Sequence, residues 1–369
     1  MWKKFQHFYL NNERLLSSLG LVSGFVFDIF TLKRVDLFIE NFWVVVHLLM
    51  AAIGIVILNF LERRKPKEER GRPVEPTAIN LHFIVLFLIQ FAFGGLFSVF
   101  LVFYFRSATL SVTWPFLALL AVAFVCNERL RAHYARLSFQ VAQLFLSIYA
   151  YAIFFLPIVL HRISDLVFFL SGLVSLVTIA IFLILLRFIT KDHFIRSRKW
   201  LAISILGIFA VVNILYFTNL IPPLPLSLQT AGAYHSLTKD GNGDYVVTAE
   251  PTTWWDYFKV YQTFHLAPGQ SLYVFTAIFS PAELNTKIVH EWQYYDPIAK
   301  KWQTKADVSL AVIGGREGGY RTYSIISDPE PGLWRLNVKL PTGAEIGQVK
   351  INVVDVATSS DVSLIQEIK

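Results

Sequence analysis

Two groups of residues in this 369-residue chain have types and spacings that bear on chemistry. Asp28 sits in an apolar run, where an ionised carboxylate costs a few kcal/mol or more unless it is paired. Lys33, Arg34 and Asp36 follow closely, so Asp28, Arg34 and Asp36 are expected to form a polar cluster that fixes the first helical hairpin. A proton or ligand relay at Asp28 is the competing reading.

The second group lies near the C-terminus. Two-residue alternation places His290 and Trp292 on one face of a strand, and Arg321, Trp334 and Arg335 complete a basic and aromatic set. Such a surface suits a sugar or an anionic headgroup. The alternative, core tryptophans beside a hydrogen-bonded histidine, is favoured for Trp292 and Trp334.

No nucleophile or carboxylate is placed beside these residues in the pattern, so no catalytic residue is assigned and the chain is expected not to be an enzyme. No cofactor is implied. The run Asp240-Gly-Asn-Gly-Asp244 resembles the start of a calcium loop, but Tyr245 stands where Gly is needed and Pro251 where Glu is needed. It is taken as a turn, and no metal site is assigned. A single cysteine, Cys126, leaves no disulfide framework.

The elements that position these residues are of two kinds. Hydrophobic residues make up 55% of the chain and charged residues only 16%, a bias that points to a bilayer. Seven apolar runs approach the roughly 20 residues that a membrane helix needs, at residues 15–32, 42–60, 83–105, 110–126, 139–160, 166–189 and 201–221. The first contains Gly20, Gly24 and Asp28, is followed by no small-residue cleavage site, and is taken as a retained helix.

Lys and Arg in alternate loops set the orientation. Seventeen lie on the side of the N-terminus, in the segments holding Lys3, Arg63, Arg129 and Lys191, against four on the other side, Lys33, Arg34, Arg106 and Arg162. The N-terminus is therefore expected in the cytoplasm, with the C-terminal third outside. The formal net charge of +7 is spent on these flanks, without the interleaved aromatics that nucleic acid would need.

His47, Gln90, Gln140, Gln143 and Asn213 lie in or near the runs and are explained by interhelical hydrogen bonding. Pro115, Pro157 and Gly94-Gly95 interrupt helices, but no inverted repeat is evident.

Pro222, Pro223 and Pro225 end the last run, and residues 222–244 are expected to form a Pro/Gly-rich juxtamembrane linker. From Tyr245 the pattern turns two-fold, with strands expected at residues 245–249, 260–266, 271–279, 287–295, 302–312, 320–326, 334–340 and 348–354. Turn signals such as Ala267-Pro-Gly-Gln270 and Pro329-Glu-Pro-Gly332 separate them. The expected architecture is a seven-helix membrane bundle over residues 1–221 followed by an all-β, immunoglobulin-like antiparallel sandwich over residues 245–369. Trp254, Trp255, Tyr257 and Phe258, near the membrane exit, suit either the headgroup zone or an entry strand.

The runs Ser271-Leu-Tyr-Val-Phe-Thr-Ala-Ile, Ile288-Val-His-Glu-Trp-Gln-Tyr-Tyr, Tyr320-Arg-Thr-Tyr-Ser and Pro331-Gly-Leu-Trp-Arg-Leu-Asn-Val resemble the bacterial family termed domain of unknown function 2914. His290, Trp292, Arg321, Trp334 and Arg335 fall at that family's recurrent positions. The resemblance, over about residues 260–354, implies a small exported β-domain joined to a varied membrane region, and implies no reaction. The segment from Gly24 to Asp36 is similar to the opening of multi-helix bacterial membrane proteins that carry this domain.

These readings converge on a multi-pass protein of the bacterial inner membrane. Its outer domain, periplasmic or extracellular, is expected to bind a glycan, a lipid headgroup or an envelope protein. A transporter with an accessory domain is the first alternative, and a membrane-embedded enzyme the second.

Overall fold

The computed structural model is described here for residues 23–32, 34–64, 81–107, 110–129, 136–241, 243–254, 259–281, 284, 286–314, 318–357 and 363–369. The first part of the first apolar run, Lys33, the basic segments 65–80 and 130–135, and Trp255, Tyr257 and Phe258 lie outside those residues. The chain divides into two units, Met1–Phe105 with Thr113–Leu224 and Arg106–Val112 with Pro225–Lys369.

The first unit is helical. After a helical stretch at residues 23–31 come α1 (Phe38–Arg64), α2 (Leu81–Arg106), α3 (Leu110–Arg129), α4 (Leu137–Leu160) and α5 (Asp165–Phe217). Ser164 caps α5, its side chain accepting from the Val167 amide at 3.4 Å. A straight helix of 53 residues would hold its ends about 75 Å apart. Instead the Tyr216 hydroxyl donates to Asp165 Oδ1 at 2.9 Å, and the Phe168 and Tyr216 rings stack. The chain therefore reverses within α5, between its two apolar runs.

Among the described residues, five helical segments are long and apolar enough to cross a membrane: Phe38–Arg63, Ile84–Arg106, Leu137–Leu160, Asp165–Thr190 and Ser197–Phe217. The fourth expected run yields a shorter apolar helix, Thr113–Cys126. Large apolar side chains such as Phe38, Phe169, Phe188 and Leu206 point outward, as lipid-facing residues do.

Small and polar residues join the helices, as packing without a hydrophobic driving force requires. A Cβ added to Gly54 would lie 2.6 Å from Ile89, and one added to Gly95 would lie 2.8 Å from His47, so α1 and α2 approach closely. Asn59 donates to Gln140 at 2.7 Å, Tyr104 to the Ala150 carbonyl at 2.8 Å and Asn213 to the Tyr149 hydroxyl at 3.2 Å.

The second unit is β-rich. Its strands are β1 (Ser227–Tyr234), β2 (Ser236–Lys239), β3 (Tyr245–Ala249), β4 (Gln262–Leu266), β5 (Ser271–Phe279), β6 (Thr286–Asp296), β7 (Lys301–Val312), β8 (Tyr320–Ser327), β9 (Gly332–Lys339), β10 (Glu345–Asp355) and β11 (Ile365–Ile368). They form sheets of order β1-β5-β8, β4-β10-β9-β6-β7 and β11-β3-β2. Every pairing is antiparallel except β4 with β10, which departs from the wholly antiparallel expectation.

All eight expected strands coincide with observed ones. The stretch 222–244, expected as a linker, contributes β1 and β2, and β11 was not expected either. These strands lack a strong apolar alternation and form because partners exist: β1 lies along β5, while β2 and β11 flank β3. Tyr234, Val247, Ala249, Phe275 and Ala277 form a buried cluster between the β11-β3-β2 sheet and the outer side of β1-β5-β8. Asp240–Asp244 is the β2–β3 turn, with the Asp244 amide donating to Asp240 Oδ1 at 2.8 Å and Gly243 at φ 87°.

Candidate functional site

The expected membrane cluster separates into two. Arg34 grips Asp36 with two hydrogen bonds, Nε to Oδ1 at 3.0 Å and Nη2 to Oδ2 at 2.7 Å. Asp28 instead accepts from the Ser98 hydroxyl of α2 at 2.5 Å. It is thus tied to a neighbouring helix, and the charge on Arg34 is satisfied locally.

The second expected set does not share a surface. His290, Trp292 and Trp334 face the interior between the β4-β10-β9-β6-β7 and β1-β5-β8 sheets and are almost wholly buried. His290 Nε2 lies 3.1 Å from Thr276 Oγ1 and its Nδ1 lies 2.9 Å from Ser324 Oγ. Trp292 donates to the same Ser324 oxygen at 3.0 Å, and Thr276 meets Thr322 at 2.9 Å.

A neutral imidazole offers one donor and one acceptor, and hydroxyls can complement both. Burial pushes the His290 pKa down to about 4, so the ring is neutral at physiological pH. The Trp334 indole donates to the Glu330 carbonyl at 2.7 Å and its ring packs edge-on against Trp292. These groups form a satisfied polar seam that ties β6 to β5 and β8. Arg321, on β8, pairs with Asp244 at 2.5 Å.

Arg335 alone of the set lies on the other side of the five-stranded sheet, and there a different constellation appears. On β6 the alternate residues Glu291, Gln293 and Tyr295 face outward. Register carries this face across the strands, with Gln348 beside Asn337, Asn337 beside Glu291, Lys350 beside Arg335, Arg335 beside Gln293, and Tyr295 beside Trp302. A bulge after Trp292, taken up by the extra residue Lys305 of β7, leaves Thr304 and Trp302 on the outward side.

Hydrogen bonds run through this face in two chains, joined where Thr304 Oγ1 donates to Glu291 Oε1 at 3.5 Å. Gln348 donates to Asn337 at 2.6 Å and Asn337 to Glu291 Oε2 at 2.9 Å, while Lys339 pairs with Glu291 Oε1 at 2.7 Å. Arg335 Nε donates to Gln293 at 2.6 Å, and Gln293 to Thr304 at 3.2 Å. The Arg335 guanidinium lies over the Trp302 ring, 4.2 Å from its centroid, and Tyr295 meets that ring edge-on.

The two carboxyls of the face behave differently. Burial raises the Glu291 pKa, but hydrogen bonds from Lys339 and Asn337 and the Lys339 charge outweigh it and hold the group below its usual value. Glu345 is pushed up to about 7, chiefly by burial and with Glu291 adding to the shift. Its Oε1 is buried with no hydrogen-bond partner.

Trp302, Tyr295 and the amide row are not among the binding residues expected from the sequence, of which His290 and Trp292 lie on the opposite face of β6 and Arg335 on its neighbour β9. The signal was nonetheless present in the alternation of β6. A further cluster, Glu250 between His235 and His265, joins β3 to β4, with His265 donating through its amide at 2.6 Å. Burial raises the Glu250 pKa and bonds from the two histidines overcome that shift.

Comparison with known proteins adds a family match over part of the chain and little else. No curated protein matches the chain. Among solved structures, a β-glucosidase from Listeria innocua in complex with gluconolactone is 15% identical over 34% of this chain and 16% of its own, at a TM-score of 0.19. The same enzyme in complex with isofagomine is 13% identical over 36% of this chain, again covering 16% of that chain at 0.19.

The Pseudomonas fluorescens alkylpurine DNA glycosylase AlkC, bound to DNA with an abasic site analog, is 12% identical over 85% of this chain and 98% of its own, at 0.20. At these scores none carries an argument about fold or activity. The family described as "Protein of unknown function (DUF2914)" matches residues 285–353, a segment that takes in β6, β7, β9 and most of β10, which build the outward polar face, and β8 of the facing sheet.

Proposed function

We propose that this is a multi-pass protein of the bacterial inner membrane whose β-domain binds a glycan of the envelope through the outward face of the five-stranded sheet. In this reading all seven apolar runs cross the bilayer, the N-terminus is cytoplasmic, and the β-domain lies outside, where the charge asymmetry of the loops puts it. The domain is an immunoglobulin-like sandwich without disulfides. The sheet orders β1-β5-β8 and β4-β10-β9-β6-β7, joined by the His290 seam, support that description.

The observation that carries the binding reading is the row of Gln348, Asn337, Glu291, Thr304 and Gln293, linked by hydrogen bonds, with Trp302 on the same face. Paired amides and carboxylates present donors and acceptors at fixed spacing, and the Arg335 guanidinium stacked on the Trp302 indole sets a cation and an aromatic edge beside them. The function is recognition without catalysis. Its partners are the bilayer and the glycan, with no nucleic acid and no cofactor.

Screening the detergent-solubilised full chain against an array of bacterial surface glycans tests this. Binding that disappears in Trp302→Ala, with the unfolding temperature of the domain retained, is the expected result. A folded protein that binds no glycan on the array would remove the reading.

A further inference from the structure

The outward face has a charge problem that a neutral sugar would leave unsolved. Arg335 of β9 and Lys350 of β10 stand directly opposite each other in the antiparallel register. Like charges placed so are destabilising. Among the described residues neither makes an ion pair: Glu291 is occupied by Lys339 and Asn337, and Glu345 interacts with both cations only at longer range.

The Arg335 side chain leans away from Lys350, its Nε on Gln293 of β6 and its guanidinium over Trp302 of β7. Among the described residues, neither the Lys350 ammonium nor the Nη donors of Arg335 make a hydrogen bond or ion pair. An anionic group between them would relieve the repulsion with charge-assisted hydrogen bonds.

We infer that the face selects an acidic oligosaccharide, with one ring beside the Arg335–Trp302 stack and a carboxylate or other acid substituent held by Arg335 and Lys350. The inference rests on the glycan-binding reading and narrows it. Length supports an oligomer over a single sugar. Lys339, opposite Glu345, lies across from Val289, six residues along β6 from Tyr295, which pairs with Trp302, so the polar band runs about 20 Å along the strands.

The test compares hexagalacturonate with its fully methyl-esterified form, which keeps the rings and removes the charge, using titration calorimetry on the full chain in detergent. The acidic hexamer should bind at least tenfold more tightly than the ester, and Lys350→Gln should weaken acid binding at least tenfold. Lys350→Arg should restore it, and added salt should weaken it.

Equal binding of acid and ester, or indifference to Lys350→Gln in a variant that unfolds at the wild-type temperature, overturns acid selectivity and leaves glycan binding standing. Glycerol 3-phosphate binding as tightly as the hexamer, with the same dependence on Lys350, would assign the face to a lipid headgroup and also overturn the inference. Failure of the folded protein to bind either hexamer overturns it as well, while the glycan array decides the broader reading separately.

Discussion

Successive residues of β6 point to opposite sides of one sheet, and the two sides handle polar groups in different ways. Inward, His290 and Trp292 are removed from water and each polar atom is matched by a hydroxyl from the facing sheet. Outward, Glu291 and Gln293 remain partly accessible and bond laterally along their own sheet. The inner arrangement is closed, so it can fix the sandwich but has nothing left to offer a ligand. The outer one leaves two cations, Arg335 and Lys350, without an ion pair among the described residues.

The strongest way to break this contrast is to truncate one tryptophan from each face. Trp292→Ala should lower the stability of the β-domain by about 3–5 kcal/mol, because it empties a fully buried site and strips Ser324 of a donor. Trp302→Ala, at a partly exposed position, should cost about 1 kcal/mol or less. Thermal unfolding of the two variants, followed by near-UV circular dichroism, measures the difference. Similar losses in both would show that the outer face is as much a part of the core as the inner one.

Acid provides the next largest effect. The folded protein keeps His290 neutral down to about pH 4, whereas an unfolded histidine takes up its proton near 6.5. Between those values the unfolded chain binds more protons, so stability should fall as the pH drops from about 6.5 towards 4, by roughly 3 kcal/mol. Replacing His290 with Gln should flatten that part of the profile in urea unfolding. A profile unchanged by the replacement would mean that the ring is accessible to protons in the folded state.

Glu345 should act with the opposite sign and more weakly. Its carboxyl keeps a proton up to about pH 7 in the folded protein but loses it near 4.5 when unfolded. Its contribution therefore declines as the pH rises from about 4.5 to 7, by on the order of 1 kcal/mol after solvent screening. In Glu345→Gln this decline should vanish. A variant that kept the wild-type slope would locate the effect elsewhere on the sheet.

Local patterns carried much of this architecture. Strands β3 to β10 and the long apolar helices were legible because side-chain period and run length respond directly to burial and to bilayer thickness. β1, β2 and β11 were not, since segments such as Ser227–Tyr234 hold few apolar residues and become strands only where a partner edge is offered. The reversal inside α5 was legible as two apolar runs, even though the helical backbone passes through it without a break.

The candidate site shows the same division. Alternation established that His290 and Trp292 share a face and that Glu291 and Gln293 share the other, and composition marked Asp28 as an unusual residue for its surroundings. Which face of β6 is buried was decided by the sheet that packs on it, because two-fold periodicity is symmetric until a second layer breaks the symmetry. The pairing of Lys350 with Arg335, the stacking of Arg335 on Trp302 and the attachment of Asp28 to Ser98 join residues far apart in the chain. Such contacts depend on register and packing, and local sequence does not encode either.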